Sequence, residues 1–151
     1  MYKFNNILVP TDFSEQFRIA MNYAKELAAS VDSTLHILHV IEPAIMPGDA
    51  VFSPHAKFVD VEKNIRENAE KNLAELKDEL EGEKIKVKTE LVYGQPSEKI
   101  IDYAKNNKLD LICIATHGVS GFEHFLFGST TEKVLRKAPC PVIAVRMPEY
   151  E

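Results

Sequence analysis

Residues 109–132 read Leu-Asp-Leu-Ile-Cys-Ile-Ala-Thr-His-Gly-Val-Ser-Gly-Phe-Glu-His-Phe-Leu-Phe-Gly-Ser-Thr-Thr-Glu. The first seven are apolar but for one aspartate and too few for a helix, which predicts a strand covered on both faces. Gly118, Gly121 and Gly128 punctuate the remainder, and Ser129 with Glu132 has the Ser-x-x-Glu spacing of a helix N-terminus. A buried strand that runs through a glycine-spaced loop into a helix is the building unit of an α/β sheet.

The same alternation extends in both directions. Asn6 to Pro10 (Asn-Ile-Leu-Val-Pro) is a short apolar strand closed by a breaker, and Phe17, Ala20, Met21, Ala24, Leu27 and Ala28 then recur at helical spacing, with Ser14 or Asp12 as the cap. Thr34 to Val40 is a second strand. Val61, Ile65, Ala69, Leu73, Leu76 and Leu80 form the apolar stripe of a long charged helix. Ile85 to Tyr93 alternates in the manner of a strand with one wetter face near a sheet edge. Pro96 or Ser97 starts a helix that ends near Asn106 and Asn107, and Pro141 to Arg146 is the last strand. Strands and helices thus alternate five times, which predicts a single-domain α/β fold: a five-stranded parallel sheet with helices on both faces. Ligands of such sheets bind beyond the carboxyl ends of the strands, where the strand order reverses. The first and fourth strands have the ends richest in small and polar residues.

Between the second strand and the long helix lies an irregular segment with Pro43, Pro47, Gly48 and Pro54. Loops above about 12 residues are more often functional or mobile than incidental, so this one is a candidate lid or a disordered connection.

Composition narrows the function. The 151 residues fit one domain, and 45% hydrophobic with 27% charged is the mix of an ordinary globular protein. Against 18 Lys and Arg stand 23 Asp and Glu, a net charge of -5, which argues against nucleic acid as a partner. No run of about 18 apolar residues suggests a membrane helix, and Met1 to Ile7 lacks the regions of a signal peptide, so the expectation is a cytoplasmic protein. Cys113 and Cys140 have no neighbour at zinc-ligand spacing and are expected to be buried reduced thiols.

The chemistry concentrates in the glycine segment. Glycines allow close backbone approach and positive φ, so consecutive N–H groups can turn toward an anion. The helix N-terminus after Gly128 adds free N–H groups and a favourable dipole, and Phe122, Phe125, Leu126 and Phe127 are placed to anchor the loop. Neither Gly-x-x-x-x-Gly-Lys-Ser/Thr nor Gly-x-Gly-x-x-Gly occurs. There is no nucleophile beside a base and no carboxylate pair at the loop, so no catalytic residue and no metal ligand set is expected. His36 and His39, three apart on a strand, point to opposite faces and are expected in packing or surface roles; His117 lies inside the loop, as a turn residue or within reach of a bound phosphate.

Four stretches together resemble the universal stress protein family over nearly the whole chain: Ile-Leu-Val-Pro-Thr-Asp-Phe-Ser from Ile7, Leu-His-Val-Ile-Glu-Pro from Leu38, Gly-Gln-Pro-Ser from Gly94, and the glycine segment with Ala-Pro-Cys-Pro-Val from Ala138. The resemblance implies a Rossmann-like, adenine nucleotide alpha hydrolase-like sheet. It also implies a regulatory or stress-response module that binds ATP, or ADP or AMP. The nucleotide-binding members carry Gly, two residues, Gly, nine residues, then Gly and Ser or Thr, a pattern that here falls on Ala115, Gly118, Gly128 and Ser129. By resemblance, Pro10, Thr11 and Asp12 border adenine and ribose, the backbone of Val40 reads the adenine edge, and Gly118, Gly128, Ser129 and Thr130 hold phosphate, with Ala115 and His117 at the loop entrance. Two departures stand out. Ala115 adds a methyl where the family has its first glycine, and the loop contains no Lys or Arg. Phosphate charge is then balanced by backbone, hydroxyls or a metal such as Mg²⁺. A slow ATPase or phosphotransferase and a nucleotide-free dimeric interaction protein are the competing readings. The apolar last strand, Val142 to Arg146, is expected to pair two copies into a homodimer.

Overall fold

The computed structural model describes residues 3–43, 55–117 and 127–148, the side chains of 55–58 excepted. The candidate lid and the loop residues 118–126 lie outside these.

Five strands, β1 (Asn6–Thr11), β2 (Thr34–Ile41), β3 (Lys86–Tyr93), β4 (Leu111–Ala115) and β5 (Val142–Val145), alternate with four helices, α1 (Glu15–Val31), α2 (His55–Gly82), α3 (Pro96–Asn106) and α4 (Ser129–Lys137). All strand pairs are parallel, in the order β3-β2-β1-β4-β5. The chain moves outward from β1 to β3, then returns to the other side of β1, so the order reverses between β1 and β4. β3 and β5 form the two edges, as their sequences predict.

The period-two geometry of the strands divides the core into two layers. Ile7 and Val9, Leu35 and Ile37, Leu111 and Cys113 face α1 and α2. Leu8, Leu38, Ile112 and Ile114 face α3 and α4, where Ile100, Ala104 and Val134 meet them. Burying one such aliphatic side chain stabilises by about 1.5–3 kcal/mol, which holds the helices to both faces.

Local chemistry ends each element. α1 stops where Asp32 turns left-handed at φ 56° and its N–H bonds the Ala28 carbonyl. Gly94, at φ +146°, provides the turn out of β3; a Cβ there would meet Lys99 at 2.5 Å. Its N–H bonds the Ile41 carbonyl at 3.0 Å, and α3 then starts on Pro96, capped by Gln95. The apolar stripe of α2 is only half core. Ala69, Leu73, Leu76 and Leu80 are buried, but Val61 is 53% and Ile65 44% exposed. The first half of the helix therefore extends past the sheet it packs on. Cys113 is buried, its Sγ donating to the Ala20 carbonyl, and burial pushes its pKa up to about 11. Cys140 is only half-buried, less enclosed than its apolar setting predicts. No helix among the described residues is long and apolar enough to cross a membrane.

One buried polar network crosses the core. His36 lies 2.9 Å from the Tyr103 hydroxyl through Nδ1 and 3.0 Å from Asn6 Oδ1 through Nε2. The amide oxygen can only accept, so Nε2 carries the proton and Nδ1 accepts from Tyr103. Asp110 Oδ2 in turn accepts the N–H groups of Asn5 at 2.8 Å and Asn6 at 2.9 Å. The network ties β1 and β2 to α3 around a neutral ring. Burial lowers the His36 pKa, and Lys88 pushes it the same way. The folded protein then binds fewer protons than the unfolded chain as pH falls through the ordinary histidine range. The stability from this site is complete above about pH 6.5 and is lost below it. Thermal melts between about pH 7 and about pH 5.5 should show the midpoint falling more steeply in wild type than in His36→Gln, whose amide does not titrate. Equal slopes would remove His36 as the cause.

Candidate functional site

Three segments meet at the carboxyl ends of β1, β2 and β4, around the reversal of strand order, and enclose a cleft of about 660 Å³.

The first leaves β1. Thr11 Oγ1 accepts the Phe13 N–H at 2.9 Å, Asp12 Oδ1 accepts the Ser14 N–H at 3.0 Å, and Ser14 Oγ caps α1 by accepting the Phe17 N–H at 3.2 Å. These short polar side chains hold a turn in which Phe13 takes φ 62°. Such a conformation costs an aromatic residue about 1–3 kcal/mol and persists only where the surroundings enforce it.

The second is the end of β2. Phe13 lies against His39, with ring centroids 4.5 Å apart. His39 Nδ1 is 2.7 Å from the Thr11 carbonyl oxygen, which only accepts, so this nitrogen carries a proton. Val40, Ile41 and Glu42 continue the wall.

The third joins β4 to α4. The Thr116 N–H bonds the Val145 carbonyl at 3.0 Å, and the Thr116 carbonyl accepts the Gly128 N–H at 2.7 Å. Thr131, buried in the first turn of α4, donates its hydroxyl to the Ala115 carbonyl at 2.7 Å. Two bonds thus close the base of the glycine loop and press the start of α4 onto the end of β4. No side chain among the described residues caps α4, and Ser129, Thr130 and Thr131 all line the cleft. The first-turn N–H groups are left for a ligand or for water.

The cleft therefore has two chemistries. Leu38, Ile41, Ile65, Ile100 and Ile114 form an apolar wall; Thr11, Asp12, His39, His117 and the start of α4 form a polar one. Among the described residues its lining includes the carboxylates Asp12 and Glu42 but no Lys or Arg. No cluster of three or more acidic, His or Cys side chains able to hold a metal occurs among the described residues.

A profile of the universal stress protein family matches residues 3–146. The chain belongs to that family. A universal stress protein of Methanocaldococcus jannaschii is 32% identical over 157 aligned positions, covering 97% of this chain and 96% of that one. Among solved structures, the universal stress protein UspA of Lactobacillus plantarum is 29% identical with a TM-score of 0.81, covering 97% of this chain and all (100%) of that one. A more distant family member, from Arabidopsis thaliana with AMP bound, is 15% identical with a TM-score of 0.68, covering 96% and 93%. At that distance the likeness is one of fold.

Of the positions that the family pattern singles out, Pro10, Thr11, Asp12, Val40, Ala115, His117, Gly128, Ser129 and Thr130 all line this one cleft; Gly118 lies outside the described residues, as do Gly121, Phe122, Phe125 and Leu126. Ala115 ends β4 and is not among the residues with positive φ, so the family's first glycine is replaced here at no conformational cost.

Three expectations are corrected. Ser129 and Glu132 do not form a capping box. The N-cap is Gly128, extended at φ -66°, ψ 164°, so Ser129 is already helical and Glu132 instead pairs with Arg136. The register moves because the Gly128 N–H is fixed to Thr116. Gly128 also needs no positive φ, and a Cβ on it would meet the Thr116 oxygen at an ordinary 3.5 Å. Phe127, expected to anchor the loop, is exposed.

The lining residues outside those predicted positions include His39, Glu42, Ile65 and Thr131. His39 carries a signal in hindsight, since it directly precedes Val40 at the end of the strand. Thr131 is read from sequence as one more helix residue.

Thr131 offers a direct test of the clamp. Thr131→Val keeps the shape but strands the Ala115 carbonyl, and urea unfolding should show a loss of roughly 1–3 kcal/mol. Thr131→Ser should recover most of it. Equal stability of Val and wild type would show that the clamp contributes nothing.

Proposed function

We propose that the cleft binds an adenine nucleotide and that the protein acts as a nucleotide-dependent regulatory module of the stress response, cytoplasmic and homodimeric. The observation that carries this reading is the convergence, in one cleft, of an apolar wall, a polar corner at Thr11 and Asp12, and a helix N-terminus that no described side chain caps. Adenine takes the wall of Leu38, Ile65, Ile100 and Ile114, with the backbone of Val40 at its edge. Thr11 and Asp12 border the ribose. Gly128, Ser129 and Thr130 hold phosphate, through first-turn N–H groups and hydroxyls. The AMP-bound relative from Arabidopsis supports the choice of ligand class. ATP, ADP and AMP share all of these contacts but the outer phosphates, for which Mg²⁺ is the candidate counterion.

Denaturing protein purified from cells and identifying the released nucleotide tests the reading. Wild type should release an adenine nucleotide in near-stoichiometric amount. Gly128→Val should release none while melting within a few degrees of wild type, because neither φ nor packing reserves that position for glycine. A wild-type protein that carries no nucleotide and binds neither added ATP nor added AMP would overturn the reading.

The homodimer rests on β5. It is an edge strand with an unpaired side, Ile143 on it is 44% and Tyr23 beside it 59% exposed, and both line a groove of about 500 Å³. Exposed apolar edges favour pairing, and a second copy offers the same edge. Sedimentation should give a dimer for wild type and a monomer for Ile143→Asp; a monomeric wild type would exclude this assembly.

A further inference from the structure

The geometry points to His39 Nε2 as a hydrogen-bond acceptor for a ribose hydroxyl of the bound nucleotide, and so to His39 as a residue that selects ribonucleotides over deoxynucleotides. The inference rests on the proposed nucleotide reading and adds a residue to it.

The Thr11 carbonyl sets the tautomer. Nδ1 is 2.7 Å from that oxygen, so the proton of the neutral ring sits on Nδ1 and the lone pair on Nε2. The same contact sets the orientation. The bond to Thr11 fixes one edge of the ring and Phe13, 4.5 Å away between centroids, covers a face, so the ring is held before any ligand arrives. Phe13 is itself held at φ 62° by the Thr11 hydroxyl. A left-handed aromatic residue is an uneconomical way to make a simple turn, and here it places a flat surface against the imidazole.

Nε2 is also available. No described residue takes it as a partner, whereas no buried side-chain nitrogen or oxygen among the described residues lacks one. Nε2 is therefore reachable from outside, and His39 lines the cleft.

Chemistry then chooses among the ligand's groups. An acceptor nitrogen needs a donor. Adenine nucleotides have two kinds, the exocyclic amino group and the ribose hydroxyls; phosphate oxygens, like the carboxylates of Asp12 and Glu42, only accept. The adenine edge lies along the Val40 backbone in the proposed pose. His39 is instead tied to Thr11 and Phe13, the residues on either side of Asp12 at the ribose corner, and a hydroxyl is the donor it meets there.

The test compares ATP with 2′-deoxy-ATP and 3′-deoxy-ATP by calorimetry, on wild type, His39→Asn and His39→Phe. Asn retains a donor for the Thr11 carbonyl and lacks Nε2; Phe retains the ring against Phe13 and lacks both nitrogens. Wild type should bind one of the deoxy analogues roughly three- to tenfold more weakly than ATP, the effect of one net hydrogen bond. Both variants should bind ATP and that analogue with a ratio near one. Mere loss of structure would weaken all three ligands together and leave the ratio unchanged. Imidazole ¹⁵N spectra of wild type give a second measurement that needs no variant: ATP should shift the His39 Nε2 resonance, and the deoxy analogue should not. A wild-type ratio of one, variants that keep the wild-type ratio, or an unmoved Nε2 resonance would each overturn the assignment while leaving nucleotide binding intact. A wild type that binds no nucleotide would remove the broader reading and this one with it.

Discussion

The hydrogen bond from the Gly128 N–H to the Thr116 carbonyl, 2.7 Å long, sets where α4 begins, and the cleft is organised around that point. It fixes Gly128 as the N-cap, so the first-turn N–H groups belong to Ser129, Thr130 and Thr131, and it leaves no side chain free to cap them. Thr131 then ties the same turn to Ala115, so the helix start moves with the strand end and not with the loop between them. The sheet makes room for this arrangement. Because the order reverses between β1 and β4, the crossovers leave in opposite directions and, among the described residues, no helix covers the gap above those two strands. A helix N-terminus placed at that gap faces open space bordered by the turn after β1. The strained Phe13 backbone completes the border, held by Thr11, Asp12 and Ser14.

Much of this is legible in the sequence, for identifiable reasons. The strands are short, mostly apolar runs bounded by Pro10, Gly94 or Pro141, and their alternation with amphipathic stripes admits few topologies besides a parallel sheet. The glycine spacing and Ala115 mark the loop base within a residue or two. What fails is whatever depends on contacts distant in sequence. Ser129 and Glu132 satisfy the local rule for a capping box, but the rule is overridden by a bond to Thr116, twelve residues before Gly128, so the helix starts one residue earlier. Val61 and Ile65 obey the core periodicity of α2, yet the sheet ends before it reaches them. His36 and His39 are alike on paper. Only the fold shows that one closes a satisfied buried network with Tyr103 and Asn6 while the other keeps a nitrogen open beside the cleft.

Charge sets the remaining constraint on what the cleft can hold. Its described lining carries Asp12 and Glu42 with no Lys or Arg, in a chain of net charge -5. The attraction for phosphate then rests on backbone N–H groups and on the α4 dipole, equivalent to roughly half a positive charge and confined to the first turn. In the proposed pose this attraction acts on the phosphate seated directly on the helix start. In that pose each further phosphate extends beyond the turn and adds negative charge near two carboxylates, with no Lys or Arg of the described lining to meet it. The same fold with a basic loop residue would hold a triphosphate by direct pairing. On the proposed reading, the preference among mono-, di- and triphosphate here depends on whether a divalent cation accompanies the outer phosphates. On the proposed reading, therefore, the selectivity between nucleotides lies less in the shape of the cleft than in the counterion that enters with the ligand.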